Sequence, residues 1–94
     1  MCIRDRHLFV QEGCRPCIYA KTQLEKSGDD WKNVVTITNA KEDGEWTDFA
    51  KECGVEATPT LVAIIDNNVV ARMAGSNQMT RSFWQSVLYN HGVH

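Results

Sequence analysis

No segment of this 94-residue chain stays apolar for long. The longest unbroken run, Leu61 to Ile65, falls far short of the ~20 residues that a membrane span needs. No apolar stretch opens the chain as an export signal would, so a cytoplasmic setting is expected. Positive charge is not in excess either. Ten Lys and Arg stand against twelve Asp and Glu, a net charge of −2, and the basic residues form no stripe. That excludes an electrostatic footprint for nucleic acid. Histidine is sparse and scattered: His7, His91 and His94 are expected at the surface, too far apart in sequence to form a metal site with Cys53.

What is present suits one globular domain. The chain is 43% hydrophobic and 23% charged, enough for a single modest core and too short for two. A monomer is expected. The opening Met1 to Arg6, MCIRDR, follows neither a strand nor a helix period, so residues 1–6 are read as a non-native or disordered leader. Residues 7–94 form the domain.

Within it, Leu8, Phe9 and Val10 make a short apolar run that suits a buried strand, ended by Glu12 and Gly13. Pro16 fits a helix's first turn, where its missing N–H costs nothing. Ile18, Ala20 and Leu24 are assigned to that helix's buried face, and Gly28 to its end. Val34 to Thr38 is rich in β-branched residues and predicts a second strand. Trp46, Phe49, Ala50 and Cys53 recur at helical spacing and predict a helix over 45–53. Thr60 to Asp66 and Val69 to Ala74 predict an antiparallel hairpin turning at Asn67–Asn68, since Asn tolerates positive φ. Met79, Phe83, Trp84, Val87 and Leu88 then mark a last amphipathic helix. Trp46 and Trp84 are read as core residues. The order β-α-β-α-β-β-α implies an α/β fold with a four-stranded mixed sheet covered by three helices.

The cysteines carry the chemistry. Cys14 and Cys17 form one close pair, while Cys2 and Cys53 stand alone. In a reducing compartment such a pair is redox-active or metal-binding rather than a staple. Zinc would call for a second close Cys or His pair, and none is evident. The redox reading is therefore favoured over half a zinc site or two inert thiols. Its geometry is suitable: Cys14 falls where a strand hands over to a helix, and unpaired N–H groups and the dipole at a helix start lower a thiol's pKa. Arg15 adds positive charge beside it. Cys14 is expected to attack a substrate disulfide and Cys17 to resolve the mixed disulfide. Cys53 is read as a core thiol.

With Gly13-Cys14-Arg15-Pro16-Cys17, the segment Gly54 to Val62 containing Thr58-Pro59, and Gly75 after the hairpin, nearly all of His7 to Asn90 resembles the thioredoxin superfamily. The resemblance implies a thioredoxin-like fold in which the Thr58–Pro59 bond is cis and the Thr58 backbone lies beside the sulfurs, free to pair with an extended substrate. It also implies substrate contacts from Arg15, Pro16, Thr58, Pro59 and Gly75. No bound cofactor is expected beyond a redox-active Cys14–Cys17 disulfide. Three departures stand out. Leu8 replaces the family's buried Asp, leaving Glu12 as a candidate substitute; Gly13 replaces the usual Trp; and the Gly-Gly-x-Asp glutathione signature is missing. The expected activity is reduction of protein disulfides, with thioredoxin reductase or glutathione as electron donor. A non-catalytic binding module on the same fold is the rival reading.

Overall fold

The computed structural model describes residues 4–29 and 31–93. Its centre is a four-stranded sheet in the order β2-β1-β5-β6. Strand β1 (Arg4–Val10) runs parallel to β2 (Val35–Asn39) and antiparallel to β5 (Thr60–Ile65), and β5 pairs antiparallel with β6 (Asn68–Ala74). The first crossover is made by α1 (Arg15–Ser27) and a single turn, α2 (Trp31–Val34), which passes directly into β2. Between β2 and β5 lie a two-stranded hairpin, β3 (Lys41–Glu42) with β4 (Glu45–Trp46), and α3 (Asp48–Glu52). A short 3-10 turn (Ser76–Gln78) precedes α4 (Arg81–Val93).

Both faces of the sheet are covered, which is why its central strands read as unbroken apolar runs. Neighbouring residues point to opposite faces. Leu8 and Leu61 therefore join Ala20, Leu24, Met79 and Trp84 from the α1–α4 layer. Phe9 and Val62 instead join Ala40, Ala50, Cys53 and Val55 beneath α3.

Several expectations need correcting. Arg4 to Arg6 belong to β1 and pair with Ala63 to Ile65, so this half of the presumed leader is sheet; Met1 to Ile3, with Cys2, lie outside the described residues. Ile18 is 62% exposed, because a position two residues from Ala20 falls nearly opposite it around a helix. The helix expected over 45–53 shrinks to Asp48–Glu52. Trp46 sits in β4 instead, and Thr47 caps α3 by accepting a hydrogen bond from the Ala50 N–H. Asp43 and Gly44, both at positive φ, turn the small hairpin. The main hairpin turns one residue early, at Asp66 (φ 52°) and Asn67 (φ 66°), and Asn68 opens β6 opposite Ile65. Among the described residues four α-helices stand where three were expected, the addition being the one-turn α2. His7 is half-buried. Its ring lies 5.0 Å from that of Phe49, and its Nδ1 is 3.1 Å from the Thr38 hydroxyl. His91 belongs to α4 in its backbone, and His94 falls outside the described residues.

The hairpin β5–β6 is not regular. Ala63 opposes Ala71 but Ile64 opposes Val69, leaving Val70 as the extra residue of a bulge.

Candidate active site

The topology brings three chain segments to one edge of the sheet. β1 ends there at Val10, β5 starts opposite it at the Phe9–Thr60 pair, and β6 ends at the Thr60–Ala74 pair. The loops that leave or enter these strand ends carry Cys14, Thr58 and Gly75.

Cys14 is placed by local chemistry. Gly13, at φ 77°, makes the turn out of β1, and the Cys14 N–H donates to the Gln11 carbonyl at 3.3 Å. Cys14 then serves as the N-cap of α1, with its Sγ accepting from the Cys17 N–H at 3.2 Å. Pro16 occupies the first helical turn and has no N–H left unpaired. The two cysteines are joined by a disulfide, with Cα atoms 5.2 Å apart. Their access differs: Cys17 is 3% exposed, whereas Cys14 is half-exposed. When the bond is reduced, a negative charge on Cys14 Sγ meets the donors of the helix start, which favour it.

Thr58 approaches this sulfur from the far end of the chain. Its hydroxyl lies 3.5 Å and its carbonyl oxygen 3.9 Å from Cys14 Sγ. The Thr58–Pro59 peptide bond is cis. The Pro59 ring is buried, so it supports the loop from below, and Thr58 beside Cys14 is left half-exposed. Gly75 sits beside this loop, its N–H donating to the Pro59 carbonyl at 2.9 Å. At φ 94° it occupies a conformation suited to glycine, and the space where a Cβ would stand is empty to 4 Å. Arg15 and Pro16 are exposed on the helix rim. Of the five residues expected around the dithiol, Arg15 and Pro16 lie between its cysteines, Thr58 meets Cys14 Sγ directly, and Pro59 and Gly75 are hydrogen-bonded to each other next to Thr58.

Leu8 is fully buried in the α1–α4 core, so no carboxylate lies under the dithiol from that strand position. Glu12 is exposed. It lines a cleft of about 430 Å³ shared with Cys17, Ile18, Lys21 and Lys41, and the Lys41 ammonium sits over the Trp46 ring at 4.7 Å. Cys53 is a buried free thiol at the end of α3. Burial pushes its pKa up, the neighbouring Glu52 carboxylate adds to this, and the Arg72 guanidinium opposes both. Among the described residues no three His, Cys, Asp or Glu side chains are grouped to hold a metal, and no helix is long and apolar enough to cross a membrane.

Sequence reasoning missed Arg72. Its Nη1 donates to the Cys53 carbonyl at 2.9 Å, at the root of the proline loop. The signal that would have found it, the bulge at Val70, has no mark in the composition of β6.

A strand-to-helix Cys14–Cys17 disulfide facing a cis-proline loop across the ends of a mixed four-stranded sheet defines a protein of thioredoxin fold. No family model and no curated protein matches the chain. Solved structures do match it. Thioredoxin from Fasciola hepatica superposes with a TM-score of 0.66 at 22% identity, over 94% of this chain and 80% of that one. Thioredoxin from Trypanosoma brucei brucei gives 0.70 at 17% identity, over 98% and 77%. Thioredoxin f2 from Chlamydomonas reinhardtii gives 0.67 at 17%, over 94% and 78%. The likeness is one of fold.

Proposed function

We propose that this protein is a protein-disulfide reductase that cycles through the Cys14–Cys17 pair. The observation that carries the reading is the half-exposed Cys14, whose sulfur faces the start of α1 on one side and the Thr58 backbone on the other.

The reaction follows from access and donors. In the reduced protein the Cys14 thiolate attacks one sulfur of a client disulfide. A bond forms between Cys14 and that sulfur, the client's S–S bond breaks, and the departing client thiolate takes up a proton. Cys17, sheltered from the client, gives its proton to water in the cleft rimmed by Glu12, Lys21 and Lys41. It then attacks Cys14 Sγ and expels the second client thiolate, which is protonated in turn. The client gains two electrons and two protons, and the Cys14–Cys17 disulfide re-forms. The Thr58 backbone, which makes no backbone hydrogen bond among the described residues, holds the client strand by β-augmentation, with Gly75 leaving room for its approach and Arg15 and Pro16 bordering it. No bound cofactor takes part. A flavoprotein dithiol reductase such as thioredoxin reductase returns the electrons, in a cytoplasm where thiols are kept reduced, and the protein works as a monomer.

The test is a thioredoxin-reductase-coupled assay on insulin disulfides. Turnover is expected for the native protein, and Cys14→Ser is expected to fall to the uncatalysed rate. Equal rates for the two proteins refute the proposal. Reduction of a glutathione mixed disulfide, run in parallel, identifies glutathione as donor if it is the faster reaction. A non-catalytic binding module would instead keep its partner complexes after both cysteines become serine.

A further inference from the structure

The loop from Cys53 to Pro59 must hold Thr58 against the disulfide; its far half rests on the buried Pro59 and on the Thr60 hydroxyl, which donates to the Ala57 carbonyl at 2.6 Å, and its near half needs a tie of its own. Its first residues are tied to α3: the Gly54 N–H donates to the Lys51 carbonyl at 3.1 Å and the Val55 N–H to the Ala50 carbonyl at 2.9 Å. Beyond Val55, the Glu56–Ala57 stretch borders an open cleft of about 280 Å³ between the loop and β6. The Thr58 N–H and C=O have no backbone partner among the described residues. One long side chain spans the gap. Arg72 projects from β6 on the Val62 side of the sheet, and its Nη1 donates to the Cys53 carbonyl. It lies directly over Gly54, whose φ of 74° suits glycine and whose missing Cβ leaves the room; a methyl group there would collide with the guanidinium.

We infer that Arg72 is a positioning residue: lying over Gly54 and bonded to the Cys53 carbonyl, it ties the root of the proline loop to β6 and so keeps the Thr58 backbone in register for an extended client. This rests on the reductase reading and names how the same site holds its substrate. The second tie, from the Gly75 N–H to the Pro59 carbonyl, comes from the same strand's end. The loop is thus pinned to β6 at both ends, and Thr58 spans the interval. Arg72 does not touch the sulfurs. Its loss should therefore weaken strand pairing and leave the intrinsic reactivity of Cys14 intact, because thiolate attack on a small disulfide needs no client strand.

The variants are Arg72→Met, which keeps the apolar stem and removes the donors, and Arg72→Lys, which keeps one cationic donor. For Arg72→Met the KM for insulin is expected to rise about five- to twentyfold. The kcat, and the rate of Cys14 with 5,5′-dithiobis(2-nitrobenzoate), should stay within about twofold. Backbone amide exchange at Ala57 and Thr58 should accelerate about tenfold, and Arg72→Lys should recover most of the KM. An unchanged KM in a folded Arg72→Met protein overturns the inference, as does an equal loss against insulin and the small disulfide. If the native protein fails to turn over insulin, the reductase reading falls, and amide exchange still decides the tie: unchanged exchange in Arg72→Met rules it out.

Discussion

Cys53 shows how a single side chain makes stability depend on pH. Its thiol is buried, and desolvation holds its pKa above the ordinary 9.0, with Glu52 adding to the shift and Arg72 subtracting from it. The raised value means that the folded chain keeps this proton after the unfolded chain has lost it. Below pH 9.0 both states are protonated and the group has no effect. As pH rises from there through the folded value, the unfolded state is favoured, by at most about 1.4 kcal/mol per pH unit. Urea denaturation of the oxidised protein from pH 8 to 10.5 should therefore show the native chain losing stability relative to Cys53→Ala. Parallel curves for the two proteins would mean that the thiol is not sheltered as described. Cys14, four-tenths of the chain away, depends on the opposite condition, a sulfur that neighbouring N–H groups and solvent can reach.

At the scale of elements, the turn of the β5–β6 hairpin is a place where side-chain chemistry decides backbone cost. Asn67 sits at φ 66°, a region that costs an ordinary L-residue about 1–2 kcal/mol and that Asn and Gly enter more easily. Asn67→Ala should lower the unfolding free energy by about 1 kcal/mol, while Asn67→Gly should not lower it; chemical denaturation of the two variants checks this. The same turn shows what could be read beforehand. That a hairpin follows Thr60 was legible from two β-branched runs separated by turn residues. Its position was not, because Asp66, Asn67 and Asn68 all tolerate the required conformation and only the pairing of Ile65 with Asn68 selects among them. Likewise Trp46, Phe49, Ala50 and Cys53 keep a true helical period, but Trp46 reaches the core from a strand. The Asp43–Gly44 pair and the Thr47 cap were the local signals for that break. The one-turn α2 is too short to show any period. The dithiol, Thr58, Pro59 and Gly75 were legible since each sits at a strand end marked by its own residue type. His7 was not, as its burial depends on Phe49 arriving from another element.

For the molecule as a whole, the two cores on either side of the sheet are separate accumulations of buried apolar surface, and Trp84 is the largest side chain in the one under α1 and α4. It is fully buried, and its Nε1 has no hydrogen-bond partner among the described residues. Truncation to alanine should cost about 3–5 kcal/mol, a large share of the roughly 5–15 kcal/mol by which domains are usually stable. Trp84→Phe should cost distinctly less, because it retains most of the ring contacts and removes a buried donor that lacks an acceptor. Urea midpoints for the two variants test this; equal losses would mean that the indole N–H is satisfied.

The kink at Val70 reaches beyond β6. Counted back from the turn without it, Arg72 would stand across from Leu61 and push a guanidinium into the oily layer under α1, while Ala71 would face Val62. One surplus valine advances the strand by a residue, so that Met73 lies over Leu61 and Arg72 swings to the opposite side, within reach of the end of α3. Drawing Val70 into regular pairing with Ala63 would invert the two sides of β6 beyond the kink, burying a cation and unfastening the proline loop in the same stroke.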